Sequence, residues 1–300
     1  MTNYANAPTS TETLDIQGLN KNAWSKRAIF NIVMTTLATL CMVATLIPLA
    51  LVLALVLVRG IGRLDWNLLT QLPPPPGLEG GGIGNAILGT LIVITIATVI
   101  SVPFGIMAAI YLSEFSAGSK LAVNIRFATN VLSGVPSIIA GIFVYVLLVQ
   151  TGITGYSALA GGVALAVLML PTITRTTDEA LKIVPQEIRW ASVGIGASNY
   201  QTVLKVVLPA ALPAIITGIT LAIARAAGET APLIFTALFS QFWPNGVFNP
   251  IATLSVLVYN FAIAPFKPQQ ELAWAASFIL VLLVLVTSVA ARLATGRRTY

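Results

Sequence analysis

Apolar runs long enough to cross a membrane alternate with short polar stretches along most of this chain. The first, Ile29 to Val58, is 30 residues long. That spans ~30 Å of hydrocarbon with tilt and exceeds the apolar core of a signal peptide. Further runs at Ile83 to Leu112, Val123 to Val149, Tyr156 to Ile173, Leu208 to Leu238 and Leu272 to Leu293 predict spans two to six. Pro103, and the group Gly134, Pro136 and Gly141, predict kinks, because proline frees a carbonyl and glycine lets helices approach closely. Between residues 239 and 270, the apolar stretch Leu254 to Ala264 is too short for a span and predicts a re-entrant or interfacial helix.

The remaining segments are polar or rich in helix breakers. Residues 1–28 predict a cytoplasmic tail, and residues 294–300 a second one. Residues 59–82 hold Pro73 to Pro76 and then Gly80, Gly81 and Gly82, which predicts an external loop. Residues 83–293 form the core, interrupted by a polar segment at 175–207.

Composition enforces the same class. Of 300 residues, 57% are hydrophobic and 9% charged, with mean hydropathy +0.90, too little polar surface to coat a water-soluble globule. The prediction is an all-α integral membrane protein with six transmembrane helices, surrounded by membrane lipid. With the N-terminus inside, twelve basic residues fall on inner segments and three (Arg59, Arg63, Lys267) on outer ones, so both termini are expected in the cytoplasm. The net charge of +6 is thus explained by topology, with no call for nucleic acid. Cys41 is the only cysteine and histidine is absent, so an internal disulfide, a cysteine metal cluster and histidine catalysis are excluded. Neither a catalytic nor a metal-ligating residue is predicted, and no cofactor is expected on this chain. A P-loop is excluded as well, because no Gly-Lys dipeptide occurs.

Two stretches carry candidate chemistry. In the polar segment, Pro185 suits a first helical turn, Glu187 lies near the positive end, and Ile188, Ala191 and Ile195 share one face. Gly194, Gly196 and Ser198 then turn the chain back. A short helix of this kind rests either on its own lipid interface and bundle ends or in a groove of a soluble partner. The second stretch, ARAAGETAPL, places Arg225 and Glu229 four residues apart inside an apolar run, beside Gly228, Thr230 and Pro232. An unpaired charge at mid-bilayer costs about 2.5–3.5 kcal/mol on insertion scales, so both side chains are expected to face the bundle interior. They serve either as a structural salt bridge or along a solute path. Asp178 and Glu179, beside Arg175 and Lys182, are expected to form local pairs at a helix end.

The segment RWASVGIGASNYQTVLKVVLP resembles the cytoplasmic coupling signature of bacterial ABC importer membrane subunits at Gly196, Leu208 and Pro209. It departs from that signature at the acidic position, where Trp190 precedes Ala191 and Ser192. Together with LPTITRTTDEAL and ARAAGETAPL, it is similar to the PstA-type permease of the phosphate-specific importer. The resemblance implies a type I importer permease fold in a bacterial cytoplasmic membrane. It implies a cytoplasmic ATPase subunit, itself binding ATP and Mg, docked on Glu187, Ile188, Arg189, Trp190, Ala191, Ser192, Val193, Gly194, Ile195, Gly196, Ala197 and Ser198, with Leu208 and Pro209 behind them. A homologous second permease subunit and an extracytoplasmic phosphate-binding protein are also implied, with Arg225, Glu229, Thr230 and Gly228 at the substrate gate. Three other readings stand beside it: the same architecture importing sulfate or molybdate, an ion-coupled carrier acting alone, and a membrane-embedded enzyme.

Overall fold

The computed structural model describes residues 26–116 and 118–295. The two predicted tails lie outside these residues except at 26–28 and 294–295, which are helical, the side chains of 294 and 295 not being described. Among the described residues every regular element is a helix. In chain order these are α1 (Lys26–Ile61), α2 (Trp66–Thr70), α3 (Gly84–Ile110), α4 (Lys120–Gly134), α5 (Ser137–Val144) and α6 (Ala158–Ile183). There follow α7 (Gln186–Gly194), α8 (Asn199–Thr202), α9 (Leu208–Gly228), α10 (Ala231–Thr236), α11 (Leu254–Ala262) and α12 (Lys267–Thr295). Wider π-helical turns extend α3 through Tyr111–Phe115 and α5 through Tyr145–Gln150, and join α8 to α9 through Val203–Val207. The last has a local cause. Pro209 has no N–H to return to the carbonyl of Lys205, so the ladder shifts just before it.

The chain divides into two compact units, Met1–Ala54 and Leu55–Tyr300, and α1 crosses the division. Within the first unit the hydroxyls of Thr39 and Thr45 donate to the carbonyls of Thr35 and Cys41, so these polar groups are satisfied without water. Within the second unit α6 is the central helix, with α3 running along it and α9 packed beside it. Small and branched side chains fill this contact: Val93 and Ala97 from α3, Leu165, Ala166 and Met169 from α6, Ala222 and Ala226 from α9. Alanine at these crossings lets the backbones approach closely, which dispersion rewards where lipid supplies no hydrophobic driving force between helices. A second cluster joins α11 to α12 and the start of α3, and a third joins the far ends of α3, α6 and α9.

Among the described residues, five segments have the length and apolarity to cross a membrane: α1, Gly84–Phe115, α6, Asn199–Gly228 and Lys267–Leu293. The pair Lys120–Gly134 and Ser137–Gln150 makes a sixth if counted together. The kink expected between Val123 and Val149 is a break, because the pair bends by 106°. Val135 and Pro136 are both extended, the conformation that a proline imposes on itself and its predecessor.

Three other expectations change, and one short helix stands as expected. The polar segment at 175–207 opens as helix, since α6 continues without a break to Ile183. Residues 59–82 are not all loop: α1 ends at Ile61, and α2, capped by Asp65, buries Leu68 against α3. The span predicted as continuous from Leu208 to Leu238 breaks after Gly228. Pro232 accordingly stands in the first turn of α10, where its missing N–H costs no bond. The short apolar stretch near Leu254 is the nine-residue α11, with Leu254, Val256, Leu257 and Phe261 buried.

Candidate functional site

The ion pair predicted within one helix lies across a helix end. Arg225 is in the last turn of α9, while Glu229 has left the helix with extended backbone (φ −70°, ψ 127°). Its carboxylate Oε1 is 3.7 Å from Arg225 Nε, a loose contact rather than a fork. The Arg225 side chain is 63% exposed and Glu229 18%, so the guanidinium stands out from the chain instead of facing its interior. That corrects the expected placement. A buried arginine here would displace small residues such as Ala222 and Ala226, which form the contact with α3 and α6.

The break is tied to α11, and α11 to α3. The Ser255 hydroxyl donates to the Glu229 carbonyl at 2.9 Å, satisfying a group that the helix end leaves open. Thr90 Oγ1 accepts from the N–H of Leu254 at 2.8 Å and donates to the Ala86 carbonyl, tying the start of α11 to α3. Thr230, half-buried, precedes α10 as its cap, and Gly228 is exposed at the end of α9. The distant partners Thr90 and Ser255 carry no local sequence signal, since a lone hydroxyl in an apolar run is common.

The second site is a platform built on α7 and α8. Pro185 is the residue before α7 rather than its first helical residue, and Glu187 is in the first turn. Ile188, Trp190, Ala191, Val193 and Ile195 are all exposed, with Ile195 at 88%. The predicted apolar stripe therefore has no cover within the second unit, and the alternative of burial against the ends of its own bundle is corrected. Gly196 turns the chain with φ 93°, a conformation that side chains disfavour. Ser198 then starts α8 with a reciprocal capping box to Gln201. Leu208 is half-buried and Pro209 exposed at the start of α9, Gly194 ends α7, and Ala197 lies between α7 and α8.

Two members of the predicted docking set point back into the chain. Ser192 is buried and its hydroxyl meets that of Thr202 at 2.9 Å. Arg189 is 14% exposed and forms a two-pronged pair with Glu114, Nη2 to Oε1 at 2.8 Å and Nε to Oε2 at 3.2 Å. The same guanidinium donates to the carbonyls of Leu181, Val184 and Pro185, so it also caps the open carbonyl end of α6. Arg189 thus joins α7 to α6 and, through Glu114, to the π turn that ends α3. In the sequence Glu114 lies in the short polar stretch between the second and third apolar runs. The one available signal was that it and Arg189 are opposite charges assigned to the same side of the membrane.

Near this platform, Asp178 also reaches beyond its own helix. It accepts from Arg126 on α4 at 2.7 Å and from Lys182 at 2.5 Å, whereas Arg175 and Glu179 form the expected local pair at 3.0 Å.

Comparison with known proteins follows the same lines. Residues 101–299 match the family described as binding-protein-dependent transport system inner membrane component. The chain is similar to the phosphate transport system permease protein PstA of Yersinia pestis, 40% identical over 280 residues, covering 93% of this chain and 94% of that one. It is similar to the protein of the same name from Xylella fastidiosa, 39% identical over 234 residues, covering 78% and 81%. Among solved structures, a chain of a bacterial alginate ABC transporter bound to its alginate-loaded periplasmic protein shares the fold, with TM-score 0.64 at 13% identity over 92% of this chain and 98% of that one.

Proposed function

The chain belongs to the binding-protein-dependent transport system inner membrane component family, as a PstA-type permease, and from that premise we propose that it forms half of a phosphate pathway in a bacterial inner membrane, driven by a separate ATPase. The observation that carries this reading is Arg225: a guanidinium 63% exposed at the end of a membrane-length helix. Facing lipid, such a charge is costly, so its natural surroundings are a water-lined path or a second permease subunit. A guanidinium offers a planar fork to phosphate oxygens, and Arg225 keeps that fork available because Glu229 comes no nearer than 3.7 Å, at Nε. An entering anion competes with Glu229 for the arginine, then leaves as the carboxylate returns, so cargo is not trapped.

Force enters through α7 in this reading. Its exposed apolar residues Ile188, Val193 and Ile195 fit a groove on the cytoplasmic ATP-binding subunit, which holds ATP and Mg. Arg189 and Glu114 pass the displacement to α6 and α3. An extracytoplasmic phosphate-binding protein supplies substrate from the other side, and both termini lie in the cytoplasm. In vesicles carrying the assembled complex, Arg225→Gln is expected to lower phosphate uptake by at least about tenfold, the worth of one charge-assisted hydrogen bond. Assembly with the ATPase should be retained. Uptake at the parent rate in that variant refutes the assignment.

A further inference from the structure

Between α4 and α6, on the side of the chain where α6 runs into α7, lies an open cavity of about 410 Å³ that the transport reading does not use. Three cations line it, Arg126, Arg175 and Lys182, against two carboxylates, Asp178 and Glu179. Asp178 is engaged by both Arg126 and Lys182, and Glu179 by Nε of Arg175 alone. One positive charge is therefore in excess. The residues that line it also carry donors engaged in no other bond: the terminal nitrogens of Arg175, the remaining N–H groups of Lys182, and the amide of Asn130.

A further wall residue makes this more than a basic surface. Thr174 is 1% exposed, and its hydroxyl has no hydrogen-bond partner. Thr129 and Thr176 donate one turn back, to Ile125 and Thr172, whereas Thr174, like its neighbour Thr177, does not. A buried hydroxyl that forgoes this bond carries a desolvation cost unless an acceptor reaches it. A hydroxyl, a planar guanidinium fork and an ammonium on one wall together match the oxygens of a phosphate group.

We propose that the cavity between α4 and α6 is a binding site for a phosphate group, held by Arg175, Lys182 and Thr174. Two sources share this chemistry, the headgroup of an anionic phospholipid and inorganic phosphate itself. The site is separate from Arg225 and stands whether or not Arg225 conducts.

The test uses the full chain carrying Arg225→Gln, so that the proposed pathway contributes nothing to binding. Delipidated protein is titrated with radiolabelled inorganic phosphate by equilibrium dialysis. In parallel it is equilibrated with mixed micelles of phosphatidylglycerol or phosphatidylcholine, and retained lipid is counted by native mass spectrometry. The expected result is saturable binding in at least one arm, phosphatidylglycerol over phosphatidylcholine or free phosphate. In Arg175→Gln with Lys182→Gln that binding should fall at least about tenfold, and in Thr174→Val by a smaller factor. Arg175→Gln alone, at a side chain 66% exposed, serves as the variant whose folding is not at issue. Binding in the lipid arm alone assigns a headgroup, and binding in the phosphate arm alone assigns the free ion. Absence of saturable binding in both arms, or binding unchanged in the double variant, overturns the proposal.

Discussion

Removing the carboxylate of Glu114 tests whether α7 is fixed to the membrane core or only rests against it. Arg189 and Glu114 are 14% and 8% exposed, and breaking a buried pair by deleting one partner costs about 3–5 kcal/mol. The two sides are not equivalent. In Glu114→Ala the guanidinium keeps the carbonyls of Leu181, Val184 and Pro185, so the loss should fall below that range, at about 2–3 kcal/mol. In Arg189→Met the carboxylate keeps only the hydroxyl of Ser113 at 3.1 Å and the end of α6 loses its cap, so about 3–5 kcal/mol is expected. The pair Glu114→Leu with Arg189→Met removes both charges together and should recover about 2 kcal/mol relative to the sum of the singles. Reversible unfolding in mixed micelles gives these differences, and the ratio of phosphate uptake to ATP hydrolysis in the assembled complex gives the functional one. That ratio should drop in either single variant while hydrolysis continues. A double-mutant coupling below about 0.5 kcal/mol, or Glu114→Ala costing more than Arg189→Met, refutes the argument.

Three further outcomes follow from the geometry. In Gly89→Ala the new Cβ overlaps the backbone carbonyl oxygen of Ala252, which cannot swing aside, so unfolding should show a loss of about 1–3 kcal/mol; an unchanged midpoint would mean the contact is loose. Thr90→Val leaves the N–H of Leu254 without its acceptor at 2.8 Å, and hydrogen exchange at the start of α11 should quicken with a cost of about 1–3 kcal/mol. Ile188→Asp, at an exposed position on α7, should shift stability by no more than about 0.5 kcal/mol yet lower co-purification with the ATP-binding subunit; undiminished co-purification would remove α7 as the docking element.

The membrane-crossing runs, though not all of their ends, and the short amphipathic helix after Pro185 were legible in the sequence, because each rests on a local rule. The bilayer demands apolar runs of a certain length, and proline, glycine and serine punctuate the backbone where they stand. Even the bend at Val135 and Pro136 was signalled as a kink, though its size, 106°, was not. What tertiary structure alone decided is which polar groups meet. Glu114 finds Arg189 across 75 residues, Asp178 finds Arg126 across 52, and Ser255 finds the Glu229 carbonyl across 26. The outward stance of Arg225 is of the same kind. Four-residue spacing places two charges on one face only while the helix lasts, and here the helix ends between them, with Ser255 on α11 satisfying the freed Glu229 carbonyl.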